Sequence, residues 1–403
     1  MNVSFRDTAV SSVSGRDADD SALHAALAAA DEVAGRAAAT AAALDESGVF
    51  PAAEFRDLAV AGLLTAPVAR QLGGLGLGVE PGRTGALLDL LTSLGRGNLA
   101  VGRLYEGHAN ALGLIQTFGT AAQAAGASAD ARAGRRFAVW NTEGAAGVTM
   151  NPLPGGSVRL HGAKTFASGA GEIERPIVTG RLPDGGWQMA VIPMDRVRTT
   201  IDSDSWRPLG MRASVSFAID FTGVEVATTD VIGAPNDYYR RPWFEAGAIR
   251  FAAVQLGGAQ ALLDAARGDL RERGRGDDPH QQTRFGAAAG AAEGAALWLR
   301  AAASMADRSP LAGAAPGDVA DATMVAYANL ARLAVERACL DVLEAVTRGV
   351  GARGLLRSHP IERICRDLTL YLRQPAPDAA LAAAGSHVLT EAAPTHRLWR
   401  GTE

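Results

Sequence analysis

From residue 21 to about residue 131, Ala and Leu recur at the three- and four-residue spacing of a helix face, with Asp, Glu and Arg between them. Pro51, Pro67 and the glycine cluster over 73–78 interrupt this pattern, which predicts several helices rather than one. The texture changes after Arg136. The runs FAVWNT, SVRLHGAKTFAS, RPIVTGRL, WQMAVIPM and VSFAIDFTGVEV are short, apolar and separated by Gly, Pro and Asp, so they read as strands. Pro154-Gly155-Gly156 and Pro183-Asp184-Gly185-Gly186 each stand between two such runs, which predicts an antiparallel meander or barrel. Beyond Pro242 the helical period returns and runs to about Ala384 in long Ala/Leu/Arg segments of the kind that pack as a four-helix bundle. The expected fold is therefore α+β: an N-terminal helical domain over 1–135, a middle antiparallel β domain over 136–235 and a C-terminal helical bundle over 236–403.

Composition narrows the function. With 403 residues, 48% hydrophobic and 20% charged, the chain can bury a large core. A formal charge of −4 offers no basic field for nucleic acid. Cys339 and Cys365 make neither a disulfide framework nor a CxxC pair, so they read as buried thiols in a reducing compartment, and no metal site is expected. The first twenty residues are polar and acidic, unlike a secretory signal. Asp31, Glu32 and Arg36 break the apolar run around them, so no membrane span is expected and a cytoplasmic location is.

Four motifs then stand in order: VARQLGGLGLG over 68–78, NTEGAAG over 141–147, HGAKTFASGAG over 161–171 and RPLGMRAS over 207–214. A fifth, Gly349-Val350-Gly351-Ala352-Arg353-Gly354, lies between two helical segments. With them the chain resembles the acyl-CoA dehydrogenase superfamily, flavoproteins with this three-part architecture, from about residue 22 to 385. An isoalloxazine ring needs an apolar wall and hydrogen-bond donors at its polar edge. Asn141, Thr142, Phe166 and Ser168 can supply both, and the resemblance puts Thr142, Phe166 and Ser168 where the family contacts its flavin. Read without the resemblance, Phe166 is a core aromatic and Thr142 and Ser168 are strand caps. The resemblance further implies FAD as cofactor and a homodimer or homotetramer. Gly351 and Ala352 then approach the adenine-side phosphates across a subunit boundary, with Arg348 and Arg284 as the phosphate-facing charges.

The chain departs from the family at the catalytic base. Eight residues beyond the Asp of Arg366-Asp367, where many members keep a glutamate, stands Pro375, and Gly247 occupies the alternative position on the first bundle helix. Val148-Thr149 replaces a Ser-Asp that meets the thioester. The first expectation is α,β-dehydrogenation of an acyl thioester, with Glu245 as a relocated base, Glu106 shaping the pocket and a flavoprotein as electron acceptor. The alternative is a two-component monooxygenase of the same fold that takes reduced flavin from a reductase and uses oxygen. FASGAG and DDPHQQTRFG (277–286) lean that way, with His108, His387 and His396 as histidines for the flavin edge. A third reading is a degenerate member that kept the fold and lost the chemistry.

Overall fold

The computed structural model describes residues 7–144, 147–155, 157–308, 319–357 and 359–399. Five helices come first: α1 (Asp7–Ser47), α2 (Ala52–Val60), α3 (Thr84–Gly97), α4 (Leu99–Phe118) and α5 (Ala121–Arg132). A single residue, Asn98, separates α3 from α4, and its side-chain oxygen accepts from the N–H groups of Ala100 and Val101, capping α4. Thr120 and Gln123 form a reciprocal cap on α5.

Ten strands follow: β1 (Phe137–Trp140), β2 (Thr149–Pro152), β3 (Val158–His161), β4 (Ala163–Ala167), β5 (Arg175–Arg181), β6 (Trp187–Val191), β7 (Thr200–Asp202), β8 (Phe217–Asp220), β9 (Glu225–Val226) and β10 (Val231–Ile232). They form one sheet in the order β10-β6-β5-β2-β3-β9, with β1 also on β5, and a second sheet β4-β8-β7. The expected antiparallel meander is not quite what forms. β1 runs parallel to β5, with Phe137 opposite Arg175, because the chain between them crosses over through β2, β3 and β4. β5 is buried along almost its whole length, as a strand flanked on both sides and covered by helices must be.

The remaining helices are α6 (Trp243–Glu272), α7 (Pro279–Arg308), α8 (Val319–Val350), α9 (Pro360–Tyr371) and α10 (Pro377–Thr390). α6, α7 and α8 are the long members of the bundle; α9 lies along α6 and α10 along α8. The N-terminal helices do not keep a core of their own. Val33, Leu91, Val101, Val254, Leu262, Val335 and Leu368 belong to one continuous apolar cluster across α1, α3, α4, α6, α8 and α9. Close approach makes this possible: a Cβ on Gly257 of α6 would overlap the Thr92 carbonyl of α3, and one on Gly95 would overlap the Val254 carbonyl. No helix among the described residues is long and apolar enough to cross a membrane. Cys339 and Cys365 are both buried and free.

One ion-pair hub ties the three segments together. Arg366 of α9 donates to Asp45 at the end of α1 (2.6 Å), to Glu362 one turn back (2.5 Å) and to the Leu209 carbonyl in the turn before β8 (3.0 Å). The neighbouring Asp367 accepts from the Met211 N–H at 2.6 Å. Gly210 sits so close that a Cβ there would overlap the backbone of Arg366. RPLGMRAS and Arg366-Asp367, far apart in sequence, are thus two halves of one structural clamp.

Candidate functional site

The end of β4 presents the first functional group. Phe166 adopts a positive φ of 53°, which a bulky L-residue rarely tolerates, and the residue is 61% exposed. It stands edge-on to Trp206, centroids 5.8 Å apart. The Trp206 indole N–H is buried and has no partner. A strained backbone that holds an aromatic ring outward, beside an unpaired buried donor, is what a planar aromatic ligand with an acceptor edge would complete. Two residues on, the Ser168 hydroxyl bonds that of Ser216 at 2.9 Å, and Ser216 bonds Ser214 at 2.8 Å.

The end of β1 supplies a second polar edge. The Asn141 side-chain oxygen accepts from Thr179 (2.7 Å) and Tyr239 (3.3 Å), leaving its NH2 donors without a protein partner among the described residues. Behind it lies Lys164, the one lysine of the chain, with no exposed surface. Its ammonium donates to Glu143 (2.6 Å), Thr179 (3.1 Å) and the Asn141 carbonyl (3.1 Å). Burial holds its pKa below the ordinary lysine range, and the Glu143 carboxylate opposes that shift. Thr142 is exposed, and its carbonyl accepts from the Thr165 N–H at 3.0 Å. Donors and an aromatic wall therefore fit a flavin ring, and β1 and β4 bring Asn141, Thr142, Phe166 and Ser168 to the same end of the β domain.

The facing helices carry charge. Glu106 on α4 is buried; one oxygen accepts from Arg103 (2.6 Å) and the other from Arg250 of α6 (3.5 Å). Arg250 also donates to the Asn110 side chain at 2.6 Å. With Asn110 it walls off a cleft of about 700 Å³ whose lining includes Leu77, Pro81, Gly113 and Trp243. Tyr238 and Tyr239, in a turn ahead of α6, pack on Phe244.

The catalytic expectations fare differently. His108 is corrected: it is fully buried, its Nε2 faces the Leu64 carbonyl at 2.8 Å and its Nδ1 accepts from the Phe137 N–H at 3.1 Å. Both nitrogens are spent on backbone, and burial pulls the pKa down to about 4, so it is a neutral bracket between α4 and β1. Glu106 has both oxygens engaged by guanidinium groups and is not available as a free base. Glu245, in the first turn of α6, accepts from Arg241 at 2.8 Å, while its other oxygen is buried without a partner. His387 packs on Trp399, which in turn meets Tyr327 of α8, and His396 is exposed.

The residues expected to face the phosphates lie elsewhere. Arg348 and Gly351 (φ 69°) end α8, beside the start of α7, where Gln281 donates to the Gly349 carbonyl at 3.2 Å. Arg348 is largely exposed and pairs with Glu344 at 2.9 Å; Arg284 is partly buried in the first turns of α7, and Ala352 opens the turn into α9. Tyr239 precedes α6, whereas these residues lie by its C-terminal end, and 30 helical residues span about 45 Å. Among the described residues no hydrogen bond or ring contact joins the two groups. Trp206 was not legible in the sequence; its only signal was adjacency to RPLG.

The chain matches the acyl-CoA dehydrogenase N-terminal domain over residues 22–129 and the C-terminal domain over 249–374. It is 26% identical over 392 residues to a dibenzothiophene monooxygenase from Mycolicibacterium goodii, covering 87% of this chain and 90% of that one. It is 30% identical over 230 residues to the amino sugar nitrososynthase DnmZ of Streptomyces peucetius, covering 53% and 54%. The dibenzothiophene monooxygenase TdsC of Paenibacillus sp. A11-2, in its complex with FMN and indole, superposes with a TM-score of 0.83 at 22% identity, covering 93% of this chain and 99% of that one. These matches take in the helical, β and bundle segments alike, and the chain belongs to the acyl-CoA dehydrogenase superfamily of flavin-dependent enzymes.

Proposed function

We propose that the protein is the oxygenating component of a two-component flavin monooxygenase, receiving reduced FMN from a separate reductase and transferring one oxygen atom of O2 to a small organic substrate. The observation that carries this reading is that neither of the two positions at which dehydrogenases keep the glutamate that abstracts the α-proton carries a carboxylate here. Pro375 and Gly247 hold those positions, Pro375 turns its carbonyl to Arg332 at 2.8 Å, and Glu106 is engaged by two arginines. The relatives named above support it, as does the FMN bound by TdsC. Acyl thioester dehydrogenation, the first expectation from the sequence, is the less supported alternative.

Reduced flavin, when bound, supplies the electron pair that lets O2 donate one atom to substrate and release the other as water. The protein's part is placement and dryness. Phe166 and Trp206 offer the ring a wall, with the indole N–H, the Asn141 NH2 and the Ser168 hydroxyl as donors at its edge. The aromatic residues Tyr238, Tyr239 and Phe244 form an apolar cluster on the α6 side, and a seated flavin and substrate would leave little room for water at the reacting atoms. Glu245 would then serve as a first-turn helix residue rather than as a base.

Equilibrium dialysis against FMN and FAD, followed by turnover with reduced FMN under 18O2 and a panel of aromatic sulfides, phenols and acyl thioesters, tests the reading. One 18O atom in an oxidised product supports it. Anaerobic bleaching of bound flavin by a thioester would overturn it in favour of dehydrogenation.

A further inference from the structure

Around Glu106 the ion pairs do not balance one for one. Arg103 and Arg250 share one carboxylate, Glu106, and among the described residues neither pairs with any other acid. Two guanidinium groups against one carboxylate leave one positive charge of this cluster without an acid of its own. A charge removed from water is costly unless a counter-charge meets it.

Arg103 holds the surplus. Its bond to Glu106 uses one nitrogen, and its other N–H groups have no protein partner among the described residues. The side chain is 28% exposed although its guanidinium lies beside Gly107 and β1. The next residue, Leu104, packs against Gly169, which follows Ser168. This turn of α4 therefore lies close to the β4 end.

A second donor waits there independently. Tyr371, at the end of α9, is 5% exposed, and its hydroxyl is buried with no partner. Tyr371 and Tyr238 both lie within electrostatic reach of Arg103. Burial raises the pKa of both phenols, so each hydroxyl keeps its proton and can donate. An unpaired guanidinium edge and an unpaired buried phenol, with aromatic rings around them, match an oxyanion on an apolar body.

We propose that the crevice takes an organic anion as substrate, its carboxylate or sulfinate group held by Arg103 and the Tyr371 hydroxyl, with Arg250 and Asn110 fixing Glu106 behind them. This rests on the monooxygenase reading of the same crevice and names the substrate class it takes. Arg103 and Tyr371 are binding groups that set which molecule enters, and Arg250 is a positioning residue.

The test is calorimetric titration of the purified chain, without flavin, with benzoate and benzenesulfinate against their neutral counterparts benzamide and methyl phenyl sulfoxide. Sodium chloride and inorganic phosphate serve as competitors. The expected result is that each organic anion binds at least tenfold more tightly than its neutral counterpart. Arg103→Gln should erase that preference, and Tyr371→Phe should weaken anion binding several-fold while leaving the neutral ligands and the urea midpoint unchanged. The second variant guards against misfolding, because removing a hydroxyl with no partner breaks no bond. Equal affinity for the charged and neutral forms overturns the proposal. So does a preference that survives Arg103→Gln, or displacement of benzoate by chloride or phosphate at equal concentration. A wild-type and Arg103→Gln pair that bind oxidised FMN alike but differ for reduced FMN would assign the charge to the flavin instead, which also overturns it. Failure of FMN to bind at all, with the anion preference intact, would count against the monooxygenase reading alone.

Discussion

Phe166 is the ring that the proposed function sets against the flavin, and its backbone is held in the left-handed region. Phe166→Ala should weaken FMN binding about tenfold, since an aromatic stacking contact is worth roughly 0.5 to 1.5 kcal/mol beyond its area, and it should leave the urea midpoint nearly unchanged. Fluorescence titration with FMN measures the first and chemical denaturation the second. His108 makes the opposite kind of contribution. Its folded-state pKa of about 4 lies below the ordinary value of 6.5, so the unfolded chain binds a proton that the folded one refuses between those limits. Stability is then full above pH 6.5 and falls as pH drops toward 4, by as much as about 3 kcal/mol. Urea midpoints at pH 7.5 and 5 should show this loss in wild type and a smaller one in His108→Gln. Phe166 and Ser168 were singled out by the resemblance of HGAKTFASGAG to a family motif, and the structure puts both at the end of β4, with Phe166 exposed rather than in the core. The role of His108 was not legible, because residue type cannot reveal that the Phe137 N–H lands on one ring nitrogen and the Leu64 carbonyl on the other.

The crossing of α3 and α6 decides how the N-terminal helices and the bundle share a core. Gly257→Ala should cost about 1 to 3 kcal/mol, because the new methyl meets the backbone carbonyl of Thr92 rather than a side chain that could swing away. Gly268→Ala lies on the same helix with nothing within 4 Å of its Cβ, and should instead stabilise by up to about 1 kcal/mol. Thermal denaturation of the two variants side by side separates packing from helix propensity. The helices themselves were readable from their apolar spacing, and so was the return to helix after Pro242. The shared core was not, since the glycines that permit it look the same in sequence as those that end a turn. The parallel pairing of β1 with β5 was equally hidden, because local turn chemistry speaks only for strands that are neighbours along the chain.

At the scale of the molecule, Arg366 holds α1, the turn before β8 and α9 in one frame. Its partners Asp45 and Glu362 are largely covered, so Arg366→Leu leaves two carboxylates without their cation and should cost about 3 to 5 kcal/mol in urea denaturation. Added salt should screen the wild-type clamp little for the same reason. Arg348 belongs to a different question. Its pair with Glu344 is exposed on both sides, 70% and 53%, and contributes little to stability. If a second copy presents Arg348 to the flavin phosphate, as the resemblance implies, Arg348→Ala should weaken FMN affinity roughly tenfold without altering the melting temperature. Flavin affinity in wild type should then rise with protein concentration across the range in which light scattering detects association. The three-segment order could be read directly from the chain, whereas the clamp joining 207–214 to Arg366-Asp367 required the fold, because its two halves are more than 150 residues apart.

Lys164 being both the one lysine and wholly buried has a practical chemical consequence. Every other side-chain cation of the chain is a guanidinium or a histidine, so amine-directed reagents find no accessible lysine on the native surface. Crosslinking through lysines will therefore report no neighbours whatever the assembly, and acetylation by an activated ester will mark Lys164 only when the β domain opens. The rate at which that single ε-amino group becomes acylated is thus a direct clock for opening of the sheet end that presents Asn141, read by mass spectrometry at one residue. Bound FMN should slow it if the flavin rests on that edge.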